Sequence, residues 1–175
     1  MAGSRMTGKR KCRGLLFSVL MVFFAGLWIC AAEDQKPGKK PIYDPELQIE
    51  RVISQSLEKA RKENKHLLLM FGGNWCSWCH KLHELFHANP DVDHFLKDHY
   101  ILILVDVGGK AEKPLNRDLV EKYRVKGFGY PSLAVLDPKG QLLAAQSTGI
   151  LEKGNAHDPE RVMAFLKAQA PRLKE

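Results

Sequence analysis

The order of elements along this sequence predicts an α/β fold: a three-layer sandwich with a central sheet flanked by helices. Three observations predict it. Residues 67–71 and 101–107 are unbroken apolar runs of strand length, the pattern of strands buried on both faces. Segments with apolar residues at helical spacing stand before, between and after those runs. Two further strand-like runs, 132–136 and 142–147, flank Asp137-Pro138-Lys139-Gly140, a turn sequence that suits a hairpin. Two β–α–β crossovers, a hairpin and a closing helix then account for the whole order.

The N-terminal segment stands outside that fold. Arg5, Lys9, Arg10, Lys11 and Arg13 form a basic head, residues 15–29 are apolar, and Cys30-Ala31-Ala32 precede Glu33 and Asp34. This is the order of a secretory signal peptide cleaved after Ala32. An uncleaved anchor is the alternative, although the run is a little short for a membrane span. The expected division is therefore a signal over 1–32, a flexible lead-in over 33–43 and one folded domain over 44–175. Five of the 27 basic residues and none of the 20 acidic ones lie in the head, which leaves the rest of the chain at +2. The basicity belongs to targeting, and no nucleic-acid partner follows from it. A hydrophobic fraction of 45% excludes a disordered or fibrous chain.

Within the domain, Asp44-Pro45 reads as an N-cap followed by Pro at the first helical position. Leu47, Ile49, Val52, Ile53, Leu57 and Ala60 carry that helix to about Lys62. The strand at 67–71 is stopped by Gly72-Gly73. A second helix starts at Cys76, buries Leu82, Leu85 and Phe86, and ends near Asn89-Pro90. A short helix follows with Val92, Phe95 and Leu96 inside. The run 101–107 reads as another central strand, and 115–123 as helix. After the hairpin, the last helix runs from Asp158-Pro159 to Ala170 with Val162, Phe165 and Leu166 facing inward.

The chemistry lies in Trp75-Cys76-Ser77-Trp78-Cys79-His80. Cys12 and Cys30 fall in or beside the signal, so Cys76 and Cys79 are the only cysteines of the expected mature chain. So close a pair closes no long loop. It does redox chemistry, holds a metal or attaches a cofactor. At the strand–helix junction Cys76 meets free backbone N–H groups and the helix dipole, which favour a thiolate. Cys79, one turn later, is placed to resolve a mixed disulfide formed at Cys76. Two other uses are open. Cys76-Ser77-Trp78-Cys79-His80 also fits the Cys-x-x-Cys-His of c-type haem attachment. Cys76, Cys79, His80, His83 and His87 crowd one helix and suit zinc or copper. No second ligand segment accompanies them, and the three histidines also read as a solvated helix face.

The stretch Phe71-Gly72-Gly73-Asn74-Trp75-Cys76-Ser77-Trp78-Cys79 resembles the active-site segment of the thioredoxin superfamily. Asn89-Pro90-Asp91-Val92 and Val105-Asp106-Val107 resemble one branch of it more closely, that of periplasmic disulfide reductases and isomerases and the catalytic domain of thiol–disulfide interchange transporters. The resemblance covers about 44–170. It implies a thioredoxin-like fold with a central mixed sheet and an enzyme acting on protein disulfides or dithiols outside the cytoplasm, most simply in the periplasm. It also implies a membrane electron donor and no cofactor. Cys76 and Cys79 would be catalytic. Gly127-Phe128-Gly129-Tyr130-Pro131-Ser132 is similar to the family's second mark, in which the proline is cis and faces the Cys-x-x-Cys. Tyr130 and Pro131 would then hold the substrate backbone, with Trp75 and an exposed Trp78 as further contacts. The sequence departs from thioredoxins at Met70, where they carry a buried Asp that serves the resolving thiol.

Overall fold

The computed structural model describes residues 40–109 and 114–172. The signal expected over 1–32 lies outside them. Among the described residues no helix is long and apolar enough to cross a membrane. In chain order the elements are α1 (Ile49–Glu63), β1 (His66–Gly72), α2 (Ser77–Ala88), α3 (Pro90–His99), β2 (Tyr100–Asp106), α4 (Arg117–Lys122), β3 (Ser132–Leu136), β4 (Leu142–Ser147), β5 (Glu152–Lys153), β6 (Ala156–His157) and α5 (Pro159–Gln169). The main sheet has the order β2-β1-β3-β4. β1 and β2 are parallel, and β3 is antiparallel to both β1 and β4. This is a mixed sheet.

β1 serves two cores because its side chains alternate between the faces of the sheet. Leu68 and Met70 pack with Leu82 and Phe86 of α2, Val92 and Leu96 of α3, and Val162 and Leu166 of α5. Leu67, Leu69 and Phe71 pack with Ile49, Ile53 and Ala60 of α1 and Leu119 of α4. The result is three layers, each buried Leu or Phe contributing about 1.5–3 kcal/mol relative to exposure.

Four features differ from the sequence reading. The first helix starts at Ile49, five residues after Asp44. The Asp44 carboxylate instead accepts the Glu46 N–H at 3.0 Å, and the side chain that was to cap a helix closes a local turn. β2 is an edge strand, not a central one. Its apolar run survives there because α1 and α3 both pack on it. The connection from β2 to β3 is not a second parallel crossover, since β3 runs opposite to β1 and hence to β2. β3 therefore begins at the end of the sheet where β1 and β2 finish, and the six-residue α4 spans the distance. A 3-10 turn at Thr148–Leu151 and the small β5–β6 hairpin follow β4. Two-residue strands leave no periodicity to read.

Candidate active site

The end of β1 and the start of α2 are joined by a tight turn in which the Cys76 N–H donates to the Gly73 carbonyl at 3.0 Å. Cys76 is the N-cap of α2, in extended backbone conformation, and its Sγ accepts the Cys79 N–H at 3.1 Å. The two sulfurs are joined in a disulfide across a Cα–Cα distance of 5.2 Å. Cys76 is 5% exposed and Cys79 is fully buried. When the bond is reduced, the helix N-terminus faces the outer sulfur with N–H groups that favour its thiolate.

Gly72 makes room for this arrangement. A Cβ there would collide with Cys79 Sγ and would stand 2.6 Å from the Tyr43 hydroxyl oxygen. Tyr43 itself is buried, and its backbone is clasped by Asn74 of the Cys-x-x-Cys turn. The Asn74 side-chain oxygen accepts the Ile42 and Tyr43 N–H groups at 2.8 and 2.9 Å, and its amide donates to the Tyr43 carbonyl at 2.9 Å. The lead-in expected to be flexible over 33–43 is described from residue 40, and its last two residues are bound to the site. Burial, followed by the negative charge of Asp106, pushes the Tyr43 phenol far above its ordinary range, so it stays protonated. Asp106 is itself buried and accepts the Gly108 N–H at 2.8 Å.

The loop before β3 meets the same end of the sheet. Phe71 pairs with Ser132, and continuing that antiparallel register by one residue sets Pro131 opposite Gly72. The Tyr130–Pro131 peptide is cis. The buried Thr148 hydroxyl donates to the Pro131 carbonyl at 2.6 Å. Trp75 and Tyr130 stack edge to face at 6.0 Å, and the Trp75 indole N–H donates to the Gly108 carbonyl at 2.5 Å. With Phe128 they stay solvent-accessible, at 44%, 36% and 38%. Cys76, Trp75, Tyr130 and Pro131 are thus gathered at one end of β1.

Trp78 differs from the exposed side chain the sequence reading assigned to it. It is half-buried, its ring meets His157 of β6 edge to face at 5.3 Å, and Lys81 Nζ lies 4.2 Å over it. His157 is only 4% exposed, and neither ring nitrogen has a hydrogen-bond partner among the described residues. Burial, aided by the Lys81 charge, lowers its pKa to about 4. His80 is not part of a solvated face either. It is buried, and its Nε2–H donates to the Asn74 carbonyl at 3.0 Å. His83 is half-buried against the exposed His87, at 4.5 Å between rings. Burial, then the neighbouring His87 and His80, lowers its pKa. Among the described residues no three His, Cys, Asp or Glu side chains converge as metal ligands. In this oxidised form the two sulfurs are bonded to each other and the His80 Nε2 is engaged. Sequence reasoning missed Tyr43, Asn74, Thr148 and His157. The first two meet across 31 residues, and no local spacing signals such a pair.

The fold and the Cys-x-x-Cys turn have known counterparts. Residues 53–158 match the thioredoxin-like domain family. The chain is 30% identical over 149 residues to the disulfide bond reductase DsbH of Chlamydia pneumoniae, an alignment covering 79% of this chain and 87% of that one. It shares 26% identity and a TM-score of 0.51 with a solved DsbH oxidoreductase, over 66% of this chain and 79% of the other. The fold is also that of a disulphide isomerase from Xylella fastidiosa Temecula1, at TM-score 0.65 and 21% identity, over 74% and 97% of the two chains. Matched by the domain family over more than half its length, and by a disulfide reductase over most of it, the chain belongs to the thioredoxin-like family and is a thiol–disulfide oxidoreductase.

Proposed function

We propose that the protein is an exported disulfide reductase in which Cys76 attacks and Cys79 resolves. One observation carries the division of labour. Cys76 caps α2 at the rim of the site, whereas Cys79 lies fully buried beneath it. The reducing direction is supported by the similarity to DsbH over most of both chains. Export is supported by the signal-like order of residues 1–32.

The Cys76 thiolate attacks one sulfur of a substrate disulfide and releases the other as a thiolate that takes up a proton. Cys79 then loses its proton and attacks Cys76, so that the substrate leaves as a dithiol and the Cys76–Cys79 disulfide forms. Two electrons pass from the enzyme to the substrate, and a dithiol donor held at the membrane returns them. Trp75, in edge-to-face contact with Tyr130, and the Tyr130–Pro131 backbone form the surface for an extended protein substrate. Trp78, engaged by His157 and Lys81, supports the hairpin beside that surface instead of reaching out from it.

Equilibration of the purified protein in redox buffers tests the direction of electron flow. A two-electron transition near about −270 mV is expected, and one near about −120 mV would mean an oxidant. Cysteine variants test the roles. Cys76→Ser should abolish disulfide reduction, and Cys79→Ser should accumulate substrates as mixed disulfides that dithiothreitol releases. Capture by Cys76→Ser, with none by Cys79→Ser, would reverse the assignment.

A further inference from the structure

Tyr43 presents a buried polar atom with nothing to do in the oxidised protein. Its hydroxyl has no hydrogen-bond partner among the described residues, although the side chain lies within the core cluster that holds Met70, Cys76 and Cys79. An unpaired buried hydroxyl is costly, so its presence calls for a compensating state. The sulfur of Cys79 lies beside it. A methyl group added at Gly72 would strike the sulfur and stand 2.6 Å from the hydroxyl oxygen, so the two atoms share one side of that residue. In the disulfide that sulfur is a poor acceptor. As a thiolate it is a good one.

We infer that the Tyr43 hydroxyl is the hydrogen-bond donor that steadies the Cys79 thiolate during resolution. The inference rests on the roles given above to the two cysteines. Three observations fit the phenol for this task. Its backbone is clasped on both sides by Asn74, two residues before Cys76, so the hydroxyl keeps its position relative to the turn. Met70, fully buried at the place where thioredoxins carry an Asp, supplies no polar atom. Burial, then the charge of the Asp106 carboxylate, one oxygen of which accepts the Gly108 N–H, holds the phenol protonated. A phenol that never ionises gives a hydrogen bond and takes no proton. Tyr43 is therefore a donor to the thiolate, not the base that makes it.

The step balances without a further reagent. Cys79 gives up its proton to water. Its sulfur, with Tyr43 donating to it, bonds to Cys76 Sγ, and the bond from Cys76 to the substrate sulfur breaks. The electron pair leaves with the substrate sulfur, which takes a proton from water. One proton has moved from Cys79 to the product thiol, and the hydrogen bond from Tyr43 lapses as the disulfide closes. That lapse accounts for the orphaned hydroxyl of the oxidised form.

The reduced protein, mixed with the aromatic disulfide of nitrothiobenzoate, separates the two steps by stopped-flow absorbance. The first equivalent of coloured thiolate reports attack by Cys76, and the second reports resolution by Cys79. Tyr43→Phe keeps the ring and removes the donor. Its first phase should match the parent, while the second slows about tenfold at neutral pH with its midpoint moved to higher pH, as expected when a thiolate loses a hydrogen bond. A second phase with the parent's rate and midpoint overturns the inference. Absence of the first phase in the parent would instead overturn the assignment of Cys76. A second measurement needs no variant. With tyrosine labelled at the hydroxyl-bearing ring carbon, the Tyr43 resonance of the parent should move when the disulfide is reduced. An unmoved resonance overturns the inference even if Tyr43→Phe fails to fold.

Discussion

At Gly72 a sulfur and a phenol share the space where a side chain would stand, and the absence of that side chain is what lets both approach the backbone. Gly72→Ala should destabilise the oxidised protein by about 1–3 kcal/mol, the usual effect of overfilling a packed core. Urea unfolding would show this as a lower midpoint, and an unchanged midpoint would mean that the turn yields without strain. At this scale the sequence was informative where chemistry depends on near neighbours. Cys76 and Cys79 are three positions apart, and their spacing at a strand–helix junction marked them as one site. Trp78 was misjudged because the hairpin that covers it, 152–157, has strands too short to leave a pattern. His80 looked like surface because its helical neighbours are polar, yet it turns back to the Asn74 carbonyl.

The element that positions the site is α2, and the turn before it is tied to the segment ahead of α1 by the single side chain of Asn74. Asn74→Ala would remove three hydrogen bonds to Ile42 and Tyr43 and leave two N–H groups and a carbonyl to find water. A loss of about 1–3 kcal/mol is expected, together with faster amide exchange at Ile42 and Tyr43. Unchanged exchange there would show that the segment is held by the Tyr43 ring alone. Among the described residues, the helices and the four strands of the main sheet were readable from helical spacing and from apolar runs of strand length. Their ends were less so. Asp44 has the composition of a cap but closes a turn, and the two outcomes use the same residue types. The apolar run of β2 reports that its faces are covered, and says nothing of whether another strand lies on both sides.

For the molecule as a whole, His157 links stability to pH. Its imidazole stays neutral in the folded protein until about 4, whereas in the unfolded chain it titrates near 6.5. Between those values the unfolded state binds a proton that the folded state refuses. Its contribution to stability is therefore complete above about 6.5 and declines as pH falls toward 4. His83, lowered by burial first and then by its histidine neighbours, acts in the same direction. His157→Phe keeps an aromatic ring against Trp78 and should flatten the stability profile across that window. A profile as steep as the parent's would assign the acid sensitivity elsewhere. The three layers followed from the order of elements, but the order of strands within the sheet did not. Direction depends on where α4 leaves the chain, a matter of six residues whose composition fits either path.

The clasp by Asn74 also decides how the protein can be handled. Because residues 42 and 43 are fastened to the reactive turn, a dye carried by exposed residue 41 would sit close to the thiols. A bulky fusion on that side would crowd the face where substrates approach. The far side is safer. His66, at the start of β1, donates from Nδ1 to the Gln169 carbonyl at 2.9 Å, which pins the close of α5 a full strand length, roughly 20 Å, from Gly72. Affinity tags and surface tethers placed beyond α5 leave the redox face open.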